Sequence, residues 1–256
     1  MRFIFLIFSA IFLLFISGCW FQEEEVRESI TRGLSPKVLF DEAKFKIEEG
    51  SYDEAEKTFN IIQASYPSSK YAIQSRLELI YIKYKRDNFD DALNLSNDFL
   101  DLYPNHFSTP YVYYMRGVIS ESKSKSILDN IYTDNAQRDV QSVKDALNYY
   151  ILLLKKYPNT KYAEEVRNKL VILRNLLARH ELYIAIFYSR TEAFLASINR
   201  CKYIIEKFPN TPSVPAALHL IAYNYDKIEA FDLAKDSRKI LKASYPKYVP
   251  HYTLDD

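Results

Sequence analysis

An aromatic residue followed by proline recurs five times along this 256-residue chain, at Tyr66-Pro67, Tyr103-Pro104, Tyr157-Pro158, Phe208-Pro209 and Tyr245-Pro246. Twelve positions before each proline stands a small residue: Ala55, Ala92, Ala146, Ser197 and Ala234. Three positions earlier again comes an apolar one: Tyr52, Phe89, Val143, Phe194 and Phe231. Such a register predicts a helix of about twelve residues in each unit. Proline stops that helix because it has no N–H to donate and its ring clashes with the preceding turn. The small residue admits a closely packed partner, and positions such as Phe59 and Ile62 continue the apolar stripe at helical spacing. Ser35-Pro36, Thr109-Pro110 and Thr211-Pro212 each place a hydroxyl before proline, the pattern of an N-cap followed by the first helical residue.

Glycine poverty supports an all-α chain. Only Gly18, Gly33, Gly50 and Gly117 occur, each far from the next, where about 7% is usual. Phosphate-cradling loops need several glycines within a few positions, and tightly turned antiparallel sheets need them at positive φ. A net charge of +1 gives no electrostatic case for nucleic acid as a partner. His106, His180, His219 and His251 fall in different units without a metal-ligand spacing. No nucleophile or metalloprotease motif is present, so the sequence predicts no catalysis, no metal and no cofactor. Cys201, inside a helical apolar pattern, reads as a small buried hydrophobe.

Successive prolines of the register lie 37, 54, 51 and 37 residues apart. The first and last intervals, with Gly50-Ser51-Tyr52-Asp53-Glu54-Ala55, Phe59 and Pro67, resemble the tetratricopeptide repeat, a stacked pair of helices. The resemblance implies a right-handed superhelical stack of about five helix pairs with a groove suited to extended peptides. Two long intervals carry extra material. Ser120 to Val140 is polar and reads as an inserted surface loop. Tyr162 to Ala178 is amphipathic and His180 to Ser189 continues apolar, which predicts an extra-long or doubled central helix. The divisions expected are repeats one and two over 36–107, repeat three with its loop and linking helix over 108–178, and repeats four and five over 179–256. Aromatics outside the repeat register, Tyr81, Tyr84, Tyr111, Tyr113 and Tyr114, are the groove candidates; Tyr66, Tyr103, Tyr157 and Tyr245 recur at a fixed offset and are expected to pack.

The N-terminus reads as an export signal. Arg2 precedes an apolar run from Phe3 to Ile16, too short for a comfortable membrane span. Ile16-Ser17-Gly18-Cys19 then resembles a bacterial lipobox, which implies cleavage after residue 18 and acylation of Cys19. Trp20 in the next position favours the outer membrane. Residues 19–35 read as the lipidated cysteine and a flexible tether.

Lipobox, tether, five repeats and a long central helix together resemble the BamD (ComL) family of outer-membrane assembly lipoproteins. The most specific match is Tyr111-Val112-Tyr113-Tyr114-Met115-Arg116-Gly117; Arg138-Asp139, Tyr157 to Tyr162 and Asn199-Arg200 also resemble family features. Val140 departs from the proline expected after Arg-Asp. The resemblance implies a non-catalytic periplasmic scaffold of the β-barrel assembly machine, lipid-anchored on the periplasmic face of the outer membrane. It implies docking on the POTRA domains of the barrel subunit BamA through the C-terminal repeats, other assembly lipoproteins as neighbours, and recognition of unfolded barrel substrates by the N-terminal repeats. Asn199 and Arg200 would lie at the docking surface; for Arg200 a bond to a partner carboxylate and a plain solvated position both stand. Arg116 would touch a ligand, fix the inserted loop or cap carbonyls, and Gly117 would allow close helix approach. A Tol–Pal coordinator and a pilus-assembly pilotin are the alternative adaptors; a lipobox and the absence of heptads disfavour the first, the long insertions the second.

Overall fold

The computed structural model describes residues 33–128 and 140–250. The export signal, Cys19, almost all of the tether and the Arg138–Asp139 pair lie outside the described residues. Within them the chain forms α1 (Pro36–Glu48), α2 (Tyr52–Ser65), α3 (Lys70–Lys85), α4 (Phe89–Leu102), α5 (Thr109–Leu128), α6 (Gln141–Lys156), α7 (Ala163–Arg190), α8 (Phe194–Lys207), α9 (Ser213–Lys227) and α10 (Phe231–Ser244), and no strand.

The aromatic–proline register sets the even-numbered helices. Four of them begin on the predicted aromatic, Tyr52, Phe89, Phe194 or Phe231, and α6 begins at Gln141, two residues before Val143. All five stop one residue before the aromatic of the aromatic–proline pair. Tyr66, Tyr157, Phe208 and Tyr245 leave helical geometry with φ of −133°, −135°, −125° and −136°. The ring of the following proline excludes the α conformation from the residue before it.

Four of the five helix pairs close on one turn geometry. Gly50, Asp87, Glu192 and Glu229, each two residues before the aromatic, have φ of 79°, 58°, 60° and 58°. The first N–H bonds run from Gly50 to the Ile47 carbonyl and from Ser51 to that of Lys46. The same pair of bonds closes the other three turns, which is the Schellman arrangement that glycine favours. Three of the four turns therefore hold a left-handed acidic residue, at a cost of about 1–2 kcal/mol each, with a carboxylate at the negative end of a helix dipole. Glu192→Gly and Glu229→Gly are each expected to raise stability by about 0.5–1 kcal/mol after glycine's own entropy is subtracted. Urea midpoints measure this, with the matching alanine variants as controls; glycine variants no more stable than the alanine ones would contradict it.

Contacts divide the chain into a unit of residues 1–102 and a unit of residues 103–256. In the first, Leu39, Ala43, Ala55, Phe59, Ile62, Ala72, Leu79 and Ile82 form the core. Phe40 packs its ring 5.5 Å from those of both Phe59 and Tyr71. Tyr66 donates its hydroxyl to the Leu34 carbonyl at 2.7 Å, so this register tyrosine ties the corner to the entry of α1.

In the second unit α7 is one uninterrupted helix of 28 residues, about 42 Å long at 1.5 Å per residue. It packs on α6, α8 and α9. Two sequence expectations need correction here. The polar segment from Ser120 continues α5 as helix to Leu128 rather than opening as a loop. Over residues 120–124 the buried positions are the small residues Ser120 and Ser124, and one turn earlier Gly117 meets Tyr150 of α6. The second correction concerns capping. Ser35 caps α1 as expected, accepting from Val38 N–H at 3.4 Å. Thr109 and Thr211 do not cap. Their hydroxyls donate back to the Tyr103 carbonyl at 3.1 Å and the Phe208 carbonyl at 2.9 Å, closing the corner behind the aromatic.

Candidate docking surfaces

Gly117 organises the seven-residue stretch on α5. A Cβ on this residue would fall onto the Tyr150 ring, 2.6 Å from Cζ, 2.5 Å from Cδ1 and closer still to Cε1. The glycine thus makes room for a fully buried tyrosine of α6. Tyr150 donates its hydroxyl to Glu121 Oε2 at 2.8 Å, and Lys169 from α7 donates to the same oxygen at 2.8 Å. Beside it Tyr114 stacks on Tyr162, with centroids 4.5 Å apart and planes 12° apart, and donates to Glu165 Oε1 at 2.8 Å. Tyr111 lies 6.3 Å from the Tyr162 ring. Desolvation first, then the neighbouring carboxylates, push the pKa of Tyr114 and of Tyr150 upward, so both phenols remain neutral donors.

The remainder of the stretch is mostly interior. Val112 and Met115 are buried. Tyr113, expected on a groove, is only 7% exposed and accepts from Lys156 Nζ at 2.7 Å. Burial leaves it a packing residue, which corrects its place among the groove candidates. Arg116 lays its guanidinium 4.0 Å from the Tyr149 ring centroid, and its Nε is buried without a hydrogen-bond partner. The stretch packs α5 against α6 at Gly117 and against α7 at Tyr114. Tyr81 and Tyr84 on α3, in the other unit, are half-buried with ring centroids 6.5 Å apart.

On α8, Asn199 is exposed. Arg200 Nη1 donates to Glu181 Oε2 of α7 at 2.8 Å, with the arginine side chain 42% exposed and that of the glutamate 8%. Beneath them runs a closed polar chain. Ser189 Oγ donates to Asn224 Oδ1 at 2.6 Å, Asn224 Nδ2 to Ser197 Oγ at 2.8 Å, and Ser197 Oγ to the Ala185 carbonyl at 2.7 Å. All are buried, so every donor and acceptor named has a partner inside. Cys201 is buried as expected, and desolvation pushes its thiol up to about 12. Among the described residues no group of acidic, histidine and cysteine side chains could hold a metal ion.

Glu121, Tyr150, Lys169 and Glu181 escaped the sequence reading. Two had a visible mark. Tyr150 stands four after Ala146, as Phe59 stands four after Ala55, and Glu181 is the one acid in the run His180–Ser189.

Residues 32–241 match the family described as YfiO, outer membrane lipoprotein. This chain belongs to that family. Its outer membrane protein assembly factor BamD relative from Neisseria gonorrhoeae is 31% identical over 91% of this chain and 88% of its own length. The protein of the same name from Xylella fastidiosa strain Temecula1 is 28% identical over 91% of this chain and 79% of its own. That from Pasteurella multocida is 30% identical over 80% of each. Among solved structures, a MamA protein aligns with 84% of this chain and 97% of its own at 14% identity and a TM-score of 0.35, too slight a likeness to carry an argument.

Proposed function

We propose that this protein is a non-catalytic outer-membrane assembly scaffold, anchored through lipid on Cys19 at the periplasmic face. Through α8 it docks on the POTRA domains of the barrel subunit, alongside other assembly lipoproteins, and its N-terminal repeats receive unfolded outer-membrane proteins, with Tyr81 and Tyr84 as contact candidates. The name shared by relatives that align with 91% of this chain carries the proposal, and it favours assembly over the Tol–Pal coordinator and pilotin alternatives. Arg200 supports the docking side. Among the described residues its one bond is to Glu181, so the other N–H groups of its five-donor fork are left for a carboxylate.

The test is retention of the full chain, purified in detergent, on the immobilised POTRA region of the barrel subunit. Wild type is expected to bind above the empty-resin control, and retention equal to that control refutes docking. Arg200→Lys keeps a cation beside Glu181 but removes the planar fork. It is expected to weaken binding several-fold, and unchanged retention would remove Arg200 from the interface.

A further inference from the structure

Glu181 is the one charged residue among the buried residues of the described chain. A buried carboxylate is costly unless it is paired and hydrogen-bonded, and an apolar residue of similar volume is often as stable there. Glu181 stands between Arg179-His180 and the apolar run that begins at Leu182. Among the described residues its one partner is Arg200, and only Nη1 of the guanidinium is engaged. No nitrogen of Arg200 is buried without a partner, so those not bonded to Glu181 reach solvent. The acid therefore grips one edge of a planar group whose remaining nitrogens reach solvent.

We infer that Glu181 is a positioning residue of the docking surface: it holds Arg200 in the orientation that meets a carboxylate on the POTRA partner. The inference rests on the docking role proposed above for Arg200. An arginine free in solution loses its rotamer freedom when a partner captures it, and that ordering weakens association. Here the intramolecular bond imposes most of the order beforehand. Glu181 also cancels part of the charge that draws a carboxylate in. That opposing effect falls mainly on the association rate and is screened by salt, whereas the orientation of a bonded fork acts on dissociation.

Dissociation from immobilised POTRA region is the readout, using the full chain in detergent at physiological salt. Glu181→Gln retains shape and an acceptor oxygen but loses the charge assistance, and is expected to dissociate about threefold faster. Glu181→Leu removes the grip and is expected to dissociate about tenfold faster. If the leucine variant does not fold, the glutamine variant carries the test by itself. In an Arg200→Met background the effect of Glu181→Gln is expected to vanish, which a general loosening of α7 and α8 would not produce. Unchanged dissociation of Glu181→Gln, or an effect that persists in the Arg200→Met background, overturns the positioning role while docking stands. No binding by wild type overturns docking and this inference with it.

Discussion

Gly117→Ala is expected to destabilise the unit of residues 103–256 by about 3 kcal/mol, lowering its Tm by about 6–12 °C. Exposed helical glycine to alanine usually goes the other way, gaining about 1 kcal/mol from propensity. The sign reverses because the new methyl would overlap ring atoms of Tyr150, not the mobile end of a long side chain. The ring cannot swing aside cheaply. Its hydroxyl is tied to Glu121, which also holds Lys169 of α7, so displacing it disturbs three helices. Either α5 moves off α6 and opens voids, or Tyr150 gives up a charge-assisted bond while remaining buried. A double-mutant cycle distinguishes this clash from a backbone requirement of glycine. In a Tyr150→Leu background the added methyl has room, so Gly117→Ala is expected to cost nothing or to stabilise by up to about 1 kcal/mol. Thermal and urea unfolding of the four chains measure the coupling. A wild-type-like Tm for Gly117→Ala alone, or the same loss in both backgrounds, would defeat this account.

Why the seven-residue stretch is so distinctive in sequence follows from the same geometry. A repeat register states where helices stop and which positions are small or apolar, because proline and 3.6-residue periodicity act locally. Hence the starts of α2, α4, α8 and α10 and the stops of all five register helices were legible. Helix α5 was not legible beyond Ser120. Periodicity looks for apolar residues, and here the buried positions 120 and 124 are serines, while Gly117 makes room for Tyr150 of the opposite helix. The threonine corners misled for a related reason. A hydroxyl before proline can bond forward to a helix N–H or backward to a carbonyl, and the aromatic–proline corner offers Thr109 and Thr211 the backward partner. Of the candidate surfaces, Asn199 and Arg200 were named from sequence, but Glu181 lies nineteen residues from Arg200 on another helix. Nothing in local pattern joins a buried acid to its distant cation.

Arg200→Glu is expected to destabilise the second unit by about 2–3 kcal/mol at pH 8, with a Tm loss of about 5–10 °C. It places a carboxylate where a guanidinium now meets Glu181 at 2.8 Å. The full cost of breaking a buried pair, about 3–5 kcal/mol, is reduced because the arginine side chain is 42% exposed and water reaches the new charge. The sign of its pH dependence identifies the cause. Repulsion exists only while both carboxylates are ionised, and it eases when the pair takes up one shared proton. In the unfolded chain two separated glutamates ionise near pH 4.3. The folded variant therefore binds more protons than its unfolded form above that pH, so its stability falls as pH rises and recovers as pH drops toward 5. Lost packing alone would give a deficit that does not depend on pH. A charge swap completes the test: Glu181→Arg combined with Arg200→Glu restores opposite signs across the two helices and is expected to recover at least half of the lost stability. Recovery that fails at every pH, together with a deficit that is flat from pH 5 to 8, would mean the pair contributes by shape and not by charge. This result also bears on docking assays. Weak binding by Arg200→Glu at pH 8 reports a loosened α7–α8 contact as well as a lost donor, whereas Arg200→Lys and Glu181→Gln leave no like charges facing each other.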